Sequence, residues 1–206
     1  MKVLELGITD YKECLKLQKD IVAKVKKGEA CEHILITEHK PVITIGRSGT
    51  KKNLLVSEEF LKSKSVQLVE TDRGGDITYH GPGQIVIYPI LDLKKRDKDV
   101  HKHLHRLEDM VIGLLKEYGI EGFKIEGKTG VWTEQGKIAS IGIGVSGWVT
   151  FHGVAININC DLTPFGWINP CGFKDIKVTS MQALAVDKEQ LKQQLISKFG
   201  FCNARC

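Results

Sequence analysis

The sequence predicts an α+β fold, a mixed and largely antiparallel sheet flanked by helices. Three observations carry this. Apolar residues Val100, Leu104, Leu107, Val111 and Leu114 hold one helical face across residues 97–118, and Gly119 ends the run. Short Ile- and Val-rich runs bounded by Gly, Pro, Asn and Ser turns read as strands. Their order is helix, strands, helix, strands, helix, which lacks the strict alternation of a parallel βα fold.

In chain order, residues 9–27 place Tyr11, Cys14, Leu15, Ile21, Val22 and Val25 near a helical period, with Gly28 as the stop. Residues 34–36 and 42–45 are strand-like, and Pro41 marks the turn between them. The polar loop 46–53 lacks the glycine spacing and Lys-Ser/Thr of a phosphate-binding loop. Ser57 opens a short helix, with Glu58 and Glu59 complementing its dipole. Strands at 66–70 and 84–93 flank a glycine-rich stretch. Beyond the long helix, 130–133 and 137–145 form a hairpin around the turn 134–136, and 148–159 adds a third strand. Gly142 and Gly144 inside an apolar strand point to a bulge or to close approach by a ligand or another backbone. Residues 163–173, with two prolines, read as irregular. A last helix spans 188–199, with Asp187 and Gln190 forming a capping-box-like start and Gly200 a stop.

The length of 206 residues suits one domain, residues 1–206. Charged and hydrophobic fractions of 27% and 42% are those of a globular protein. No run of about 18 apolar residues exists, which argues against a spanning helix. Glu5 falls where a signal peptide has its apolar region, so the expectation is a cytoplasmic protein with free thiols. Cys14, Cys31 and Cys160 read as small core residues, and no close pair of cysteines suggests zinc. The net charge of +5 comes from interleaved lysines and acids, unlike a nucleic-acid stripe, and would equally suit an acidic protein partner.

Chemistry concentrates in three places. The stretch 73–84 carries Arg73, Asp76, Thr78, Tyr79 and His80 among glycines, and reads as a functional loop or, alternatively, a structural turn. Lys137 to Gly142 open the hairpin strand. Cys171 lies between Pro170 and Gly172, an unusual setting for a buried structural cysteine. A catalytic thiol must be reachable and partly thiolate, which a nearby cation favours. Lys137 could be that cation; a solvated turn lysine is the competing reading.

The motifs Arg73-Gly74-Gly75-Asp76-Ile77-Thr78-Tyr79-His80-Gly81-Pro82-Gly83-Gln84, Gly136-Lys137-Ile138-Ala139-Ser140-Ile141-Gly142, Trp148-Val149-Thr150-Phe151-His152-Gly153-Val154-Ala155-Ile156-Asn157 and Ile168-Asn169-Pro170-Cys171-Gly172 closely resemble the lipoyl(octanoyl) transferases of lipoate synthesis. The resemblance covers nearly the whole chain. It implies the biotin and lipoate ligase catalytic fold and an octanoyl transfer from acyl carrier protein to a lysine. The acceptors implied are lipoyl domains of 2-oxoacid dehydrogenase complexes or the glycine cleavage H protein, with no cofactor, metal, nucleic acid or membrane. Cys171 falls on the family's nucleophile and Lys137 on the residue that lowers its pKa. Arg73, Gly74, Gly75, Asp76, Ile77, Thr78, Tyr79, His80, Ser140, Ile141, Gly142, Gly153, Val154 and Ala155 fall on substrate-contacting positions. Ser146 and Gly147 depart from the basic pair expected there. The rival readings are an ATP-dependent lipoate or biotin ligase and a non-catalytic carrier-binding protein.

Overall fold

The structure, a computed structural model, describes residues 1–170, 176–182 and 186–200. Two sheets organise it. The larger has seven strands in the order β1-β2-β6-β10-β9-β8-β7, and the smaller has three in the order β4-β3-β5. The strands are β1 (Lys2–Thr9), β2 (His33–His39), β3 (Val42–Ile45), β4 (Gln67–Glu70), β5 (Ile77–His80), β6 (Gln84–Ile90), β7 (Phe123–Ile125), β8 (Lys128–Thr133), β9 (Gly136–Ser146) and β10 (Val149–Asn157). The pairs β1–β2 and β3–β4 are parallel and every other pair is antiparallel. The expected mixed, largely antiparallel sheet is what the chain forms.

Period-two alternation decides which face of the large sheet each side chain joins. Ile34, Ile36, Ile85, Ile87 and Ile156 pack with Val111, Leu114 and Leu115 of α3 (Val100–Glu117) and Leu191 and Leu195 of α4 (Lys188–Gly200). The intervening Leu35, Val86, Tyr88 and Ala155 pack with Cys14, Ile21, Val22 and Val25 of α1 (Tyr11–Lys27) on the other face. Each such fully buried aliphatic side chain contributes about 1.5–3 kcal/mol. Asp10 caps α1 by accepting from the N–H groups of Lys12 and Glu13, and Gly28 closes it at φ 74°. Asp99 caps α3 in the same way through the Lys102 N–H. The small sheet has its own core, where Ile43, Ile45, Ile77 and Tyr79 meet Leu61 of α2 (Glu58–Ser63) and Phe165 of a 3-10 turn at Thr163–Trp167.

Three strands go beyond the sequence expectation. Lys2–Thr9 is a strand, not an unassigned terminus, and Phe123–Ile125 is a short edge strand on β8. Within the glycine-rich stretch, Ile77–His80 forms β5 and pairs with β3. Four consecutive residues free of glycine suffice there because β5 is the edge of a small sheet. No helix among the described residues is long and apolar enough to cross a membrane. Cys14 and Cys160 are buried as expected, whereas Cys31 is only half-buried. Cys171, Cys202 and Cys206 lie outside the described residues.

Candidate active site

The loop that precedes β5 joins the two sheets. Arg73, 8% exposed, aims its guanidinium into the small sheet, donating from Nη2 to the Thr44 carbonyl (2.7 Å) and from Nε to Thr44 Oγ1 (3.1 Å). The next residue, Gly74, donates its N–H to the Ile143 carbonyl of β9 (2.8 Å). A Cβ on Gly142 would lie 2.6 Å from the Gly74 carbonyl oxygen, so glycine at 142 admits another backbone. Between the sheets lies a cavity of about 360 Å³.

Twelve of the fourteen expected substrate-contacting residues line that cavity, all except Gly74 and Tyr79. Gly74 is spent on β9. Tyr79 faces the opposite way, edge-on to Phe165 with ring centroids 5.6 Å apart, and burial pushes its hydroxyl up to about 12. Alternation along β5 explains the split, since Thr78 and His80 face the cavity while Tyr79 enters the small core. Ser140, Ile141 and Gly142 of β9 stand opposite Ala155, Val154 and Gly153 of β10. Asp76 accepts from Asn53 Nδ2 at Oδ2 (2.5 Å), while its buried Oδ1 has no hydrogen-bond partner among the described residues.

Lys137 also lines the cavity and is 3% exposed, which rules out the solvated turn lysine. Its Nζ donates to the Thr129 carbonyl (2.8 Å) and sits 5.3 Å from the Trp132 ring centroid. Room for the side chain comes from Gly130, where a Cβ would lie 2.6 Å from Lys137 Cε. The backbone of Lys137 is gripped from outside the sheet, its N–H donating to the Lys177 carbonyl (2.8 Å) and its carbonyl accepting from the Thr179 N–H (3.0 Å). Asn169 donates to the Asn53 carbonyl (2.8 Å), and Asn53 in turn holds Asp76. Asn169 is thus tied to Asn53, while Lys177 and Thr179 hold the backbone of Lys137.

Several cavity residues were not anticipated. Tyr11, Tyr88 and His152 join His80 in an aromatic, polar wall. His80 stacks on Tyr11 (6.0 Å between centroids) and donates from Nδ1 to Gln84 Oε1 (2.6 Å); burial pushes it down to about 3. His39, behind it, is pushed by burial to about 4 and shares a 2.7 Å hydrogen bond with the Tyr88 hydroxyl. His152 adopts φ 56° inside β10, a left-handed conformation rare in a strand. Its N–H donates to Gln18 Oε1 (2.8 Å) and its Nε2 to Asp72 Oδ1 (2.9 Å). Burial raises the Asp72 carboxyl, but the hydrogen bonds from His152 and Lys19 outweigh it and hold Asp72 below its usual value. The one signal available for His152 was a histidine inside an otherwise apolar strand. At the far end of that strand, Lys26 Nζ lies 3.2 Å from Ser146 Oγ, bringing a cation to the turn that lacks its own.

Residues 10–200 match the family described as the Lipoyl protein ligase A/B catalytic domain. The chain is 50% identical over 186 residues to an octanoyltransferase of Caldicellulosiruptor bescii, covering 89% of this chain and 82% of that protein. It is 45% identical over 202 residues to one of Syntrophotalea carbinolica, covering 97% and 92%. Among solved structures it resembles a bipartite lipoate protein ligase of Thermoplasma acidophilum, with TM-score 0.75, 16% identity and coverage of 97% and 82%. It also resembles the biotin protein ligase of Aquifex aeolicus, with TM-score 0.54, 13% identity and coverage of 98% and 68%. The structural likenesses establish the biotin and lipoate ligase fold, and the close sequence relatives establish that the chain belongs to the octanoyltransferase family.

Proposed function

We propose that this chain, as a single catalytic domain, moves an octanoyl group from octanoyl-acyl carrier protein to the ε-amine of a lysine on lipoyl domains. Cys171 is the nucleophile and Lys137 its partner. The observation that carries the reading is Lys137 itself, a lysine sealed into the wall of a cavity in an octanoyltransferase-family chain. Support comes from the described residues on either side in sequence: Asn169 is bonded to Asn53, which holds the cavity residue Asp76, and Lys177 and Thr179 are bonded to the Lys137 backbone.

The Cys171 thiolate attacks the carrier thioester, the C–S bond to phosphopantetheine breaks, and Lys137 gives a proton to the departing thiol. The acceptor amine then attacks the acyl-enzyme, the bond to Cys171 breaks, and Lys137 takes a proton back. Exposed amides and polar groups around the cavity would stabilise the oxyanion of each tetrahedral step. Ile77, Val86, Ile141 and Val154 supply apolar wall for the acyl chain.

The test is intact mass after incubation with octanoyl-carrier protein and no ATP. Wild type should gain one octanoyl group and Cys171→Ala none. Lys137→Met should slow the gain about 10²–10⁴-fold. Its melting temperature should stay within a few degrees, because methionine fills the same slot and the exposed Thr129 can turn its carbonyl to water. A strict need for ATP, or an undiminished adduct in Cys171→Ala, would overturn the reading in favour of a ligase.

A further inference from the structure

The proton count of the proposed transfer leaves one proton without an acceptor. The attacking lysine arrives as an ammonium, its solution pKa being about 10.4. Two protons leave that nitrogen before it becomes an amide. Lys137 takes back only the one it gave to the phosphopantetheine thiol, so each turnover must discharge one further proton from a cavity walled by buried side chains.

His152 has the properties such an acceptor needs. It lines the cavity, its side chain is 1% exposed, and Nδ1 is one of three buried side-chain polar atoms with no hydrogen-bond partner among the described residues. Its other nitrogen, Nε2, donates to Asp72 Oδ1, so the remaining lone pair is on Nδ1. Asp72 is 34% exposed and pairs with Lys19 Oδ2 to Nζ at 2.9 Å at the surface. A route therefore runs from cavity to solvent through three named atoms. We propose that His152 Nδ1 accepts the surplus proton of the attacking amine while its Nε2 proton passes to Asp72 and on to water. The relay leaves the ring protonated on Nδ1. It is reset once the product has left, when Nδ1 gives that proton to water entering the cavity and Nε2 regains one from solvent through Asp72, so that one proton is discharged per turnover and no bond other than N–H and O–H is made or broken. This rests on the octanoyl-transfer reading above.

Burial, more than the charges facing the ring, favours discharge over retention. Lys19 of α1 and Arg73 of the joining loop oppose a charged imidazole, Asp72 favours it, and the buried Tyr88 ring stands edge-on at 6.4 Å. With burial these hold His152 at about 4, so a proton received there is passed on.

The experiment separates the two half-reactions. Wild type, His152→Gln and Asp72→Asn are first loaded with octanoyl-carrier protein, which tests the underlying reading alone. Each acyl-enzyme is then offered either a lipoyl domain or hydroxylamine, which is uncharged at neutral pH. Glutamine keeps the reach to Asp72 and removes the acceptor at the Nδ1 position. His152→Gln should load normally, transfer to hydroxylamine normally, and transfer to the lipoyl domain about 100-fold more slowly at neutral pH. That deficit should shrink as pH rises towards the acceptor lysine's own pKa. Asp72→Asn, a change at a part-exposed surface position, should show a smaller deficit of the same kind. Wild-type transfer to the lipoyl domain by both variants, or equal losses with both nucleophiles at every pH, would overturn the proposal.

Discussion

Lowering the pH should unfold this protein earlier than its carboxylates alone would. His39, His80, His103 and His152 are 0%, 6%, 4% and 1% exposed. Burial holds them at about 4, 3, 4 and 4. In the unfolded chain each returns to about 6.5. Between these limits the unfolded state binds more protons, so stability is full above pH 6.5 and falls as pH drops towards the folded values. At about pH 5.5, one unit below the unfolded value, each histidine costs on the order of 1 kcal/mol, and the four together on the order of 5 kcal/mol. That is comparable with the whole stability of a typical domain. The assay is denaturant unfolding followed by tryptophan fluorescence at a series of pH values from about 7.5 to 5. His103, on α3 and away from the cavity, provides an internal control, since His103→Leu should remove about a quarter of the loss. Stability that stays level within about 1 kcal/mol across this range would refute the reasoning, because it would mean that water reaches these rings.

Two further changes test packing. Gly142→Ala places a methyl 2.6 Å from the Gly74 carbonyl oxygen, a backbone atom that can yield only by moving the loop off β9. We expect a loss of about 1–3 kcal/mol, read as a fall of roughly 2–4 °C in melting temperature per kcal/mol, together with slower acyl-enzyme formation; an unchanged melt would show the contact to be loose. Ser65 sits at φ 56° just past α2, where Val66 N–H bonds the Leu61 carbonyl and Ser65 N–H that of Lys62. Ser65→Gly should raise stability by about 1 kcal/mol in the same melts.

Legibility in the sequence followed the range of the interactions. Helices α1 and α3 were readable because their signals, an apolar period and a glycine stop, lie within the helices themselves. β5 was not, because Ile77–His80 is a strand only by virtue of β3, more than thirty residues earlier. Gly142 announced a close approach but could not say to what; the answer, the Gly74 carbonyl, required the loop and the hairpin to be placed together. Lys137 was legible as chemistry, yet its burial depends on Gly130 and on residues 177–179 closing over it. His152 was missed as a site residue because its partners Asp72 and Gln18 come from two distant segments. Cys171 lies outside the described residues, so its proposed role rests on the resemblance of its Asn-Pro-Cys-Gly setting.

The outer strands of the seven-stranded sheet both break their own ladders. The pairing of β1 with β2 shifts register between Glu5 and Ile8, with Gly7 at φ 64°, and that of β7 with β8 shifts between Phe123 and Ile125. Each edge exposes a large apolar side chain, Ile8 at 57% and Phe123 at 39%, the composition that invites a second chain to add a strand. An irregular ladder offers such a visitor few consecutive bonds, so these kinks act as guards against edge-to-edge aggregation.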